Sequence, residues 1–233
     1  MLRLTIDERT IRVPVGYTLL QAARENNIPI PTLCSHEALL PYGACRLCLV
    51  ELVEPRGSRL VASCGYPCQD GLVVRTQSDL VISTRRTVIE LLMVTGAHLP
   101  IIRALAAEAG VDAPYVALPP NDCILCGLCV RACRDLVGVS AISLTHRGMD
   151  RTISTPFRIS SADCIECGTC ALVCPTGAIR IEDVTRPIRT AHTWGSPYER
   201  RACRLCEYDP PGAPFPEDYR ELLGMSQNGM CET

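Results

Sequence analysis

Residues 123–133 read CILCGLCVRAC and residues 164–175 read CIECGTCALVCP, so one spacing, C-x2-C-x2-C-x3-C, occurs twice. Nothing else in the chain constrains its fold as strongly. The first three thiols of each run can face a common centre only from a tight loop. Gly127 and Gly168, each directly after the second cysteine, permit the left-handed backbone that such a loop needs. The fourth thiol falls on the helix that follows and reaches away from its own loop. The two halves therefore interlock, with Cys123, Cys126, Cys129 and Cys174 around one centre and Cys164, Cys167, Cys170 and Cys133 around the other.

What the centres hold depends on the compartment. The chain has 16 cysteines among 233 residues, a density that means either disulfides or metal ligation. Its start, MLRLTIDERT, mixes charges with apolar residues and contains no signal-peptide core or twin-arginine signal. No stretch approaches the roughly 18 apolar residues of a membrane span. These features predict a protein of the reducing cytoplasm, where thiolates bind metals. The spacing is that of bacterial ferredoxins with two [4Fe–4S] clusters. Pro175 matches the proline usual after the fourth cysteine, whereas Arg134 departs from it in the first half. A pair of structural zinc sites is the alternative, but zinc sites rarely use a crossed triplet-plus-one pattern. The net charge of −2 argues against a nucleic-acid binder, and an aromatic content of 4% leaves little material for a core of large rings.

A different constellation lies upstream. Cys34, Cys45, Cys48 and Cys64 form C-x10-C-x2-C-x15-C, a plant-type [2Fe–2S] pattern stretched in its first interval. Cys68 competes for the fourth place. Cys64 is preferred because LVASC ends a candidate strand, whereas Cys68 follows Pro67 at a turn. Zinc or buried free thiols are the other readings of this site. Gly43 in PYGACRLC allows close backbone approach to sulfur. Around these cysteines, alternation of Leu2, Leu4 and Ile6, then Ile11, Val13 and Val15, predicts a hairpin turning at Asp7-Glu8-Arg9-Thr10. A helix capped by Thr18 runs through Asn27, and strands follow at 47–54 and 71–76. Helical spacing predicts further helices over 78–97 and 101–109, and Pro114, Pro119 and Pro120 mark a linker. The expected class is α+β. A β-grasp [2Fe–2S] ferredoxin-like domain spans 1–77 and a helical connector 78–120. A bacterial-type 2[4Fe–4S] ferredoxin domain spans 121–183, and an Arg/Pro-rich tail 184–233.

TLCSHEALLPYGACRLCLVE, SDLVISTRRTVIELLMVTGAH, NDCILCGLCVRAC and CIECGTCALVCPTGAI occur in an order that resembles one family. It is the small iron–sulfur diaphorase subunit of cytoplasmic NAD-linked nickel–iron hydrogenases, related to the start of the complex I large iron–sulfur subunit and to the iron-only hydrogenases. The resemblance covers roughly residues 1–183. It implies one [2Fe–2S] and two [4Fe–4S] clusters, a flavin/NAD(H)-binding partner and a catalytic metal subunit. The family also carries a cluster held by one histidine and three cysteines after the long helix. Here His98 stands at that place, but HLPIIRALAAEAGVDAP supplies no cysteine, so the site is expected to be lost and His98 to be a helix-end or interface residue.

ACRLC recurs at 202–206, outside the resemblance. Cys203, Cys206 and Cys231, with His192 or a partner's residue, either bind zinc or another cluster or remain free thiols in the tail. No dinucleotide fingerprint or P-loop occurs, and His36 and His146 are isolated. The expected function is an electron-relay subunit of a multi-subunit NAD(P)-linked oxidoreductase, a hydrogenase first, with no catalytic residue of its own. The long helix and the arginines after Arg180 are the candidate contacts to other subunits. The alternatives are a freely diffusing multicluster ferredoxin, or the equivalent subunit of a formate dehydrogenase or other reductase.

Overall fold

The computed structural model describes residues 1–55, 57–114, 116–155 and 163–180. They form two compact units, one of residues 1–35 and 41–124, the other of residues 36–40 together with the described residues from Leu125 onward.

In the first unit, β1 (Leu2–Ile6) and β2 (Arg9–Val13) pair antiparallel. Their alternation puts Leu4, Ile6, Ile11 and Val13 inside. The turn is tighter than the sequence suggests. Only Asp7 and Glu8 lie outside the strands, with φ of 47° and 68°, while Arg9 and Thr10 pair with Ile6 and Thr5. A two-residue hairpin loop with both residues left-handed matches strand twist, but usually has Asn, Asp or Gly first and Gly second, where Glu8 stands here. Here the Asp7 carboxylate accepts from both the backbone N–H (2.7 Å) and the hydroxyl of Thr76.

α1 (Leu19–Glu25) starts at a capping box between Thr18 and Gln21 and ends earlier than expected, at the cap Asn26. β3 (Leu49–Glu54), β4 (Gly57–Ala62) and β5 (Val73–Arg75) complete a sheet of order β2-β1-β5-β3-β4, in which β1 and β5 run parallel. α1 lays Leu19, Ala22 and Ala23 against Leu4, Val50, Leu52 and Val74 of that sheet. This is the β-grasp arrangement, with one helix across a mixed sheet.

α2 (Asp79–Gly96) is capped by Ser78, and α3 (Pro100–Ala109) begins with proline and stops at left-handed Gly110. Both match the expected helices to within a residue at each end. They bury Ile89, Met93, Ile102 and Ala106 against Leu33 and Leu47. The carbonyls at the C-terminal end of α2 are not left open: Leu118 N–H bonds to Val94 and Asn121 N–H to Thr95, each at 3.0 Å.

The second unit is built on two equivalent loops. Leu125 and Gly127 have φ of 54° and 73°, and Glu166 and Gly168 have φ of 59° and 68°. Each loop leads directly into a short helix, α4 (Leu128–Arg131) or α5 (Thr169–Leu172). The repeated spelling is thus a repeated backbone. A π-helical turn, Ala132–Val137, continues α4, and β6 (Ser143–Thr145) and β7 (Thr152–Ser154) pair as a hairpin that the sequence reading did not anticipate. No helix among the described residues is long and apolar enough to cross a membrane.

Candidate metal centres

In the first unit Cys34 follows α1, Cys45 and Cys48 flank a loop before β3, and Cys64 follows β4. All four are at least partly buried. Left-handed Arg46 (φ 58°) turns the backbone between Cys45 and Cys48. Backbone donors point at sulfur: Cys45 N–H at Cys34 Sγ (3.4 Å) and Leu33 N–H at Cys45 Sγ (3.5 Å).

The thiols stand in two neighbouring pairs. Cys45 is drawn down to about 5 by a hydrogen bond from Cys34, against the effect of its burial, while the same contact pushes the Cys34 thiol up. Cys48 is drawn down to about 6 by Cys64, which is raised in turn. The fully buried Ser63 hydroxyl, next to Cys64 in the chain, also helps to lower Cys48 and meets no oxygen or nitrogen partner among the described residues. Two sulfur pairs ringed by N–H groups, with a spare hydroxyl donor, form a donor set that fits a two-iron rhomb, in which each iron takes two thiolates.

Cys68, the competitor for the fourth place, lies elsewhere. It packs with Leu19, Val61 and Val74 in the main core, and burial raises its thiol.

In the second unit Cys133, Cys164, Cys167 and Cys170 line one cavity, walled by Val137 and Ile142. Cys133 comes from the π-helical turn after α4, Cys164 and Cys167 from the loop before α5, and Cys170 from α5 itself. One cysteine of the first motif and three of the second thus line the same cavity. Burial and the neighbouring sulfurs raise the Cys164 thiol to about 12 and Cys170 well up. Burial also raises Cys133, against N–H groups of Ala141, Ile142 and Ser140. A tetra-anionic set of thiolates is thus unfavourable unless cations fill the cavity, which fits an iron–sulfur cube. No three His, Cys, Asp or Glu side chains among the described residues gather round a point suited to one metal ion. The thiols stand instead in pairs in one unit and around a cavity in the other.

Of the remaining set, Cys126, on the first of the two equivalent loops, and Cys129, on α4, are buried. The backbone N–H of Cys123 is held by the Asn121 side chain at 2.9 Å. At Cys174 burial raises the thiol, but the Thr176 hydroxyl and the N–H groups of Ile179, Thr176 and Ala178 outweigh it and leave the thiol lowered. Cys203, Cys206 and Cys231 lie outside the described residues.

Sequence reasoning missed two hydroxyls that lie against sulfur. Thr169, fully buried, places its oxygen 3.3 Å from Cys167 Sγ, and Thr176 lies 3.5 Å from Cys174 Sγ. The first motif has Leu128 where the second has Thr169, and that asymmetry was the readable signal. His98, at the C-terminal end of α2, bonds through Nε2 to Asp122 at 2.7 Å, and α3 occupies the segment that follows it.

A β-grasp unit with paired thiols, followed by a unit built on two cysteine loops, defines a multicluster iron–sulfur protein. Comparison with known proteins agrees. Residues 1–79 match a family described as a 2Fe-2S iron-sulfur cluster binding domain, and residues 122–178 match one described as a 4Fe-4S dicluster domain. The NADP-reducing hydrogenase subunit HndD of Solidesulfovibrio fructosivorans is 35% identical over 77% of this chain and 36% of its own length. The mitochondrial NADH-ubiquinone oxidoreductase 78 kDa subunit of Neurospora crassa is 30% identical over 76% of this chain and 27% of its own. A chain of an NAD+-reducing [NiFe]-hydrogenase, solved in its H2-reduced state, superposes with a TM-score of 0.57 at 35% identity, covering 66% of this chain and 74% of that one. The chain belongs to this family of iron–sulfur subunits of NAD(P)-linked oxidoreductases. It spans only about a quarter to a third of the curated relatives named here.

Proposed function

We propose that the chain relays single electrons within a multi-subunit NAD(P)-linked oxidoreductase of the cytoplasm, a hydrogenase first. Its neighbours would be a flavin-bearing subunit that handles NAD(H) and a subunit with the substrate-active metal. Cys34, Cys45, Cys48 and Cys64 hold one [2Fe–2S] cluster. Cys164, Cys167, Cys170 and Cys133 hold one [4Fe–4S] cluster, and Cys123, Cys126, Cys129 and Cys174 hold the other. When bound, these clusters supply reversible one-electron chemistry.

The protein's own part is to grip and tune. Thiolates fix the irons, N–H groups and the threonine hydroxyls stabilise charge on sulfur, and aliphatic walls such as Val137 and Ile142 keep water off. The observation that carries this reading is the single cavity shared by cysteines from two separate motifs. The likeness to the [NiFe]-hydrogenase chain over 74% of that chain favours the hydrogenase assignment over other reductases.

Native mass measurement on untagged protein from its own cells tests the partnership. The expected result is a complex containing a flavin-binding subunit. A clean monomer would overturn the subunit reading in favour of a free ferredoxin.

A further inference from the structure

Arg85 is a cation in an unusual place. It sits on α2, in the first unit, with only 9% of its surface exposed. Its Nε donates to the carbonyl of Leu47 at 3.2 Å, and its Nη2 to the carbonyls of Leu49 (3.2 Å) and Thr76 (3.3 Å). No carboxylate among the described residues lies within ion-pair distance of it. The arginines with described ion pairs, Arg59, Arg86 and Arg134, are by contrast about half exposed or more. A guanidinium out of water normally requires an anion. Three carbonyl dipoles solvate Arg85 but leave its full positive charge in place.

The position of those carbonyls shows what the charge faces. Leu47 and Leu49 flank Cys48, so the guanidinium grips the backbone on both sides of a thiol that belongs to the second sulfur pair. Burial works against the Arg85 cation, while negative charge at Cys48 and Asp7 favours it. Asp7 is already engaged by the Thr76 N–H and hydroxyl at the hairpin turn. The ligand reading above adds a much larger anion here. Two ferric irons, two sulfides and four thiolates sum to a charge of about −2, and one added electron makes it about −3.

We propose that Arg85 is the buried counter-charge of the two-iron centre, a positioning residue that clamps the loop around Cys48 and raises the centre's reduction potential. The proposal rests on the ligand assignment made under the proposed function. A fixed cation in a medium of low dielectric stabilises the state with one more negative charge, so it favours reduction. The carbonyl bonds hold it at a constant distance, and burial on α2 protects it from screening by salt.

Charge and clamp can be separated. Arg85→Gln keeps N–H donors for the carbonyls and removes the charge, whereas Arg85→Lys keeps the charge and removes the planar fork. The assay is an anaerobic redox titration of the cluster-loaded chain, following the two-iron paramagnetic signal, with iron counted on the same samples. At the wild-type midpoint potential, the reduced-to-oxidised ratio of Arg85→Gln should be about tenfold lower, a shift of about 59 mV to more negative potential for a one-electron couple. Arg85→Lys should stay within about threefold of wild type, and the [4Fe–4S] signals should not move in either variant.

A fully loaded Arg85→Gln that titrates with wild type would overturn the proposal and leave the ligand assignment intact. If Arg85→Gln fails to fold, Arg85→Lys still decides: a loaded lysine variant shifted about tenfold would show that charge is not the cause. Absence of any two-iron signal from the wild-type chain would remove the ligand assignment and this proposal together.

Discussion

Replacing Cys64 by Ser and, separately, Cys68 by Ala distinguishes a cluster ligand from a core thiol four residues away. Both side chains are nearly inaccessible, at 4% and 6% exposure, so burial does not tell them apart. Their neighbours do. Cys64 faces Cys48, whereas Cys68 belongs to the core cluster that includes Leu19, Val61 and Val74, and its backbone N–H donates to the Tyr17 carbonyl at 2.8 Å. Cys68→Ala leaves that backbone bond and removes one buried sulfur. The lost contacts and the small cavity should cost about 1–2 kcal/mol. At about 4 °C per kcal/mol for a unit of this size, Tm should fall by about 4–8 °C with the iron content unchanged. Cys64→Ser keeps the volume and removes a ligand, because a serine hydroxyl does not ionise near neutral pH. The iron count should fall from about ten to about eight per chain, and the two-iron signal should vanish while both [4Fe–4S] signals persist. Iron analysis, paramagnetic resonance of the dithionite-reduced protein and a thermal melt read all of this on the same samples. Loss of the two-iron signal in Cys68→Ala with retention in Cys64→Ser would refute the reasoning.

Other outcomes follow from single contacts. Thr169→Val removes the hydroxyl from Cys167 Sγ and should move one [4Fe–4S] centre to more negative potential, while Thr176→Val should move only the other. A redox titration in which both variants shift the same signal would contradict the crossed arrangement. Ile102→Ala empties a fully buried site between α2 and α3 and should destabilise the first unit by about 2–5 kcal/mol in denaturant unfolding. A loss below about 1 kcal/mol would mean that α3 is not part of that core.

The sequence was most legible where chemistry and local geometry coincide. Spacing located the cysteine loops because ligand geometry, left-handed Gly127 and Gly168, and the helices after them are one local device. α2 and α3 were readable because Ser78, Pro100 and Gly110 punctuate a helical period. The hairpin turn was misjudged because its stability comes from Thr76, far away in sequence, which binds Asp7 and lets Asp7-Glu8 adopt a turn their residue types disfavour. Arg85 was invisible for the same reason. In sequence it is half of an Arg-Arg pair on a helix, and only the fold shows that it turns inward to Leu47, Leu49 and Thr76 while Arg86 meets Glu90 outside. The choice of Cys64 over Cys68 rested on a strand end, whereas the fold separates them by what each one touches.

Electron relay by this chain requires that the thiols hold iron and sulfide. Iron, acid-labile sulfide and zinc measured per chain on anaerobically prepared protein test this most directly. The predicted result is about ten irons and about ten sulfides from the twelve assigned cysteines, with zinc absent from those sites. Zinc in place of iron, or iron without sulfide, would contradict it.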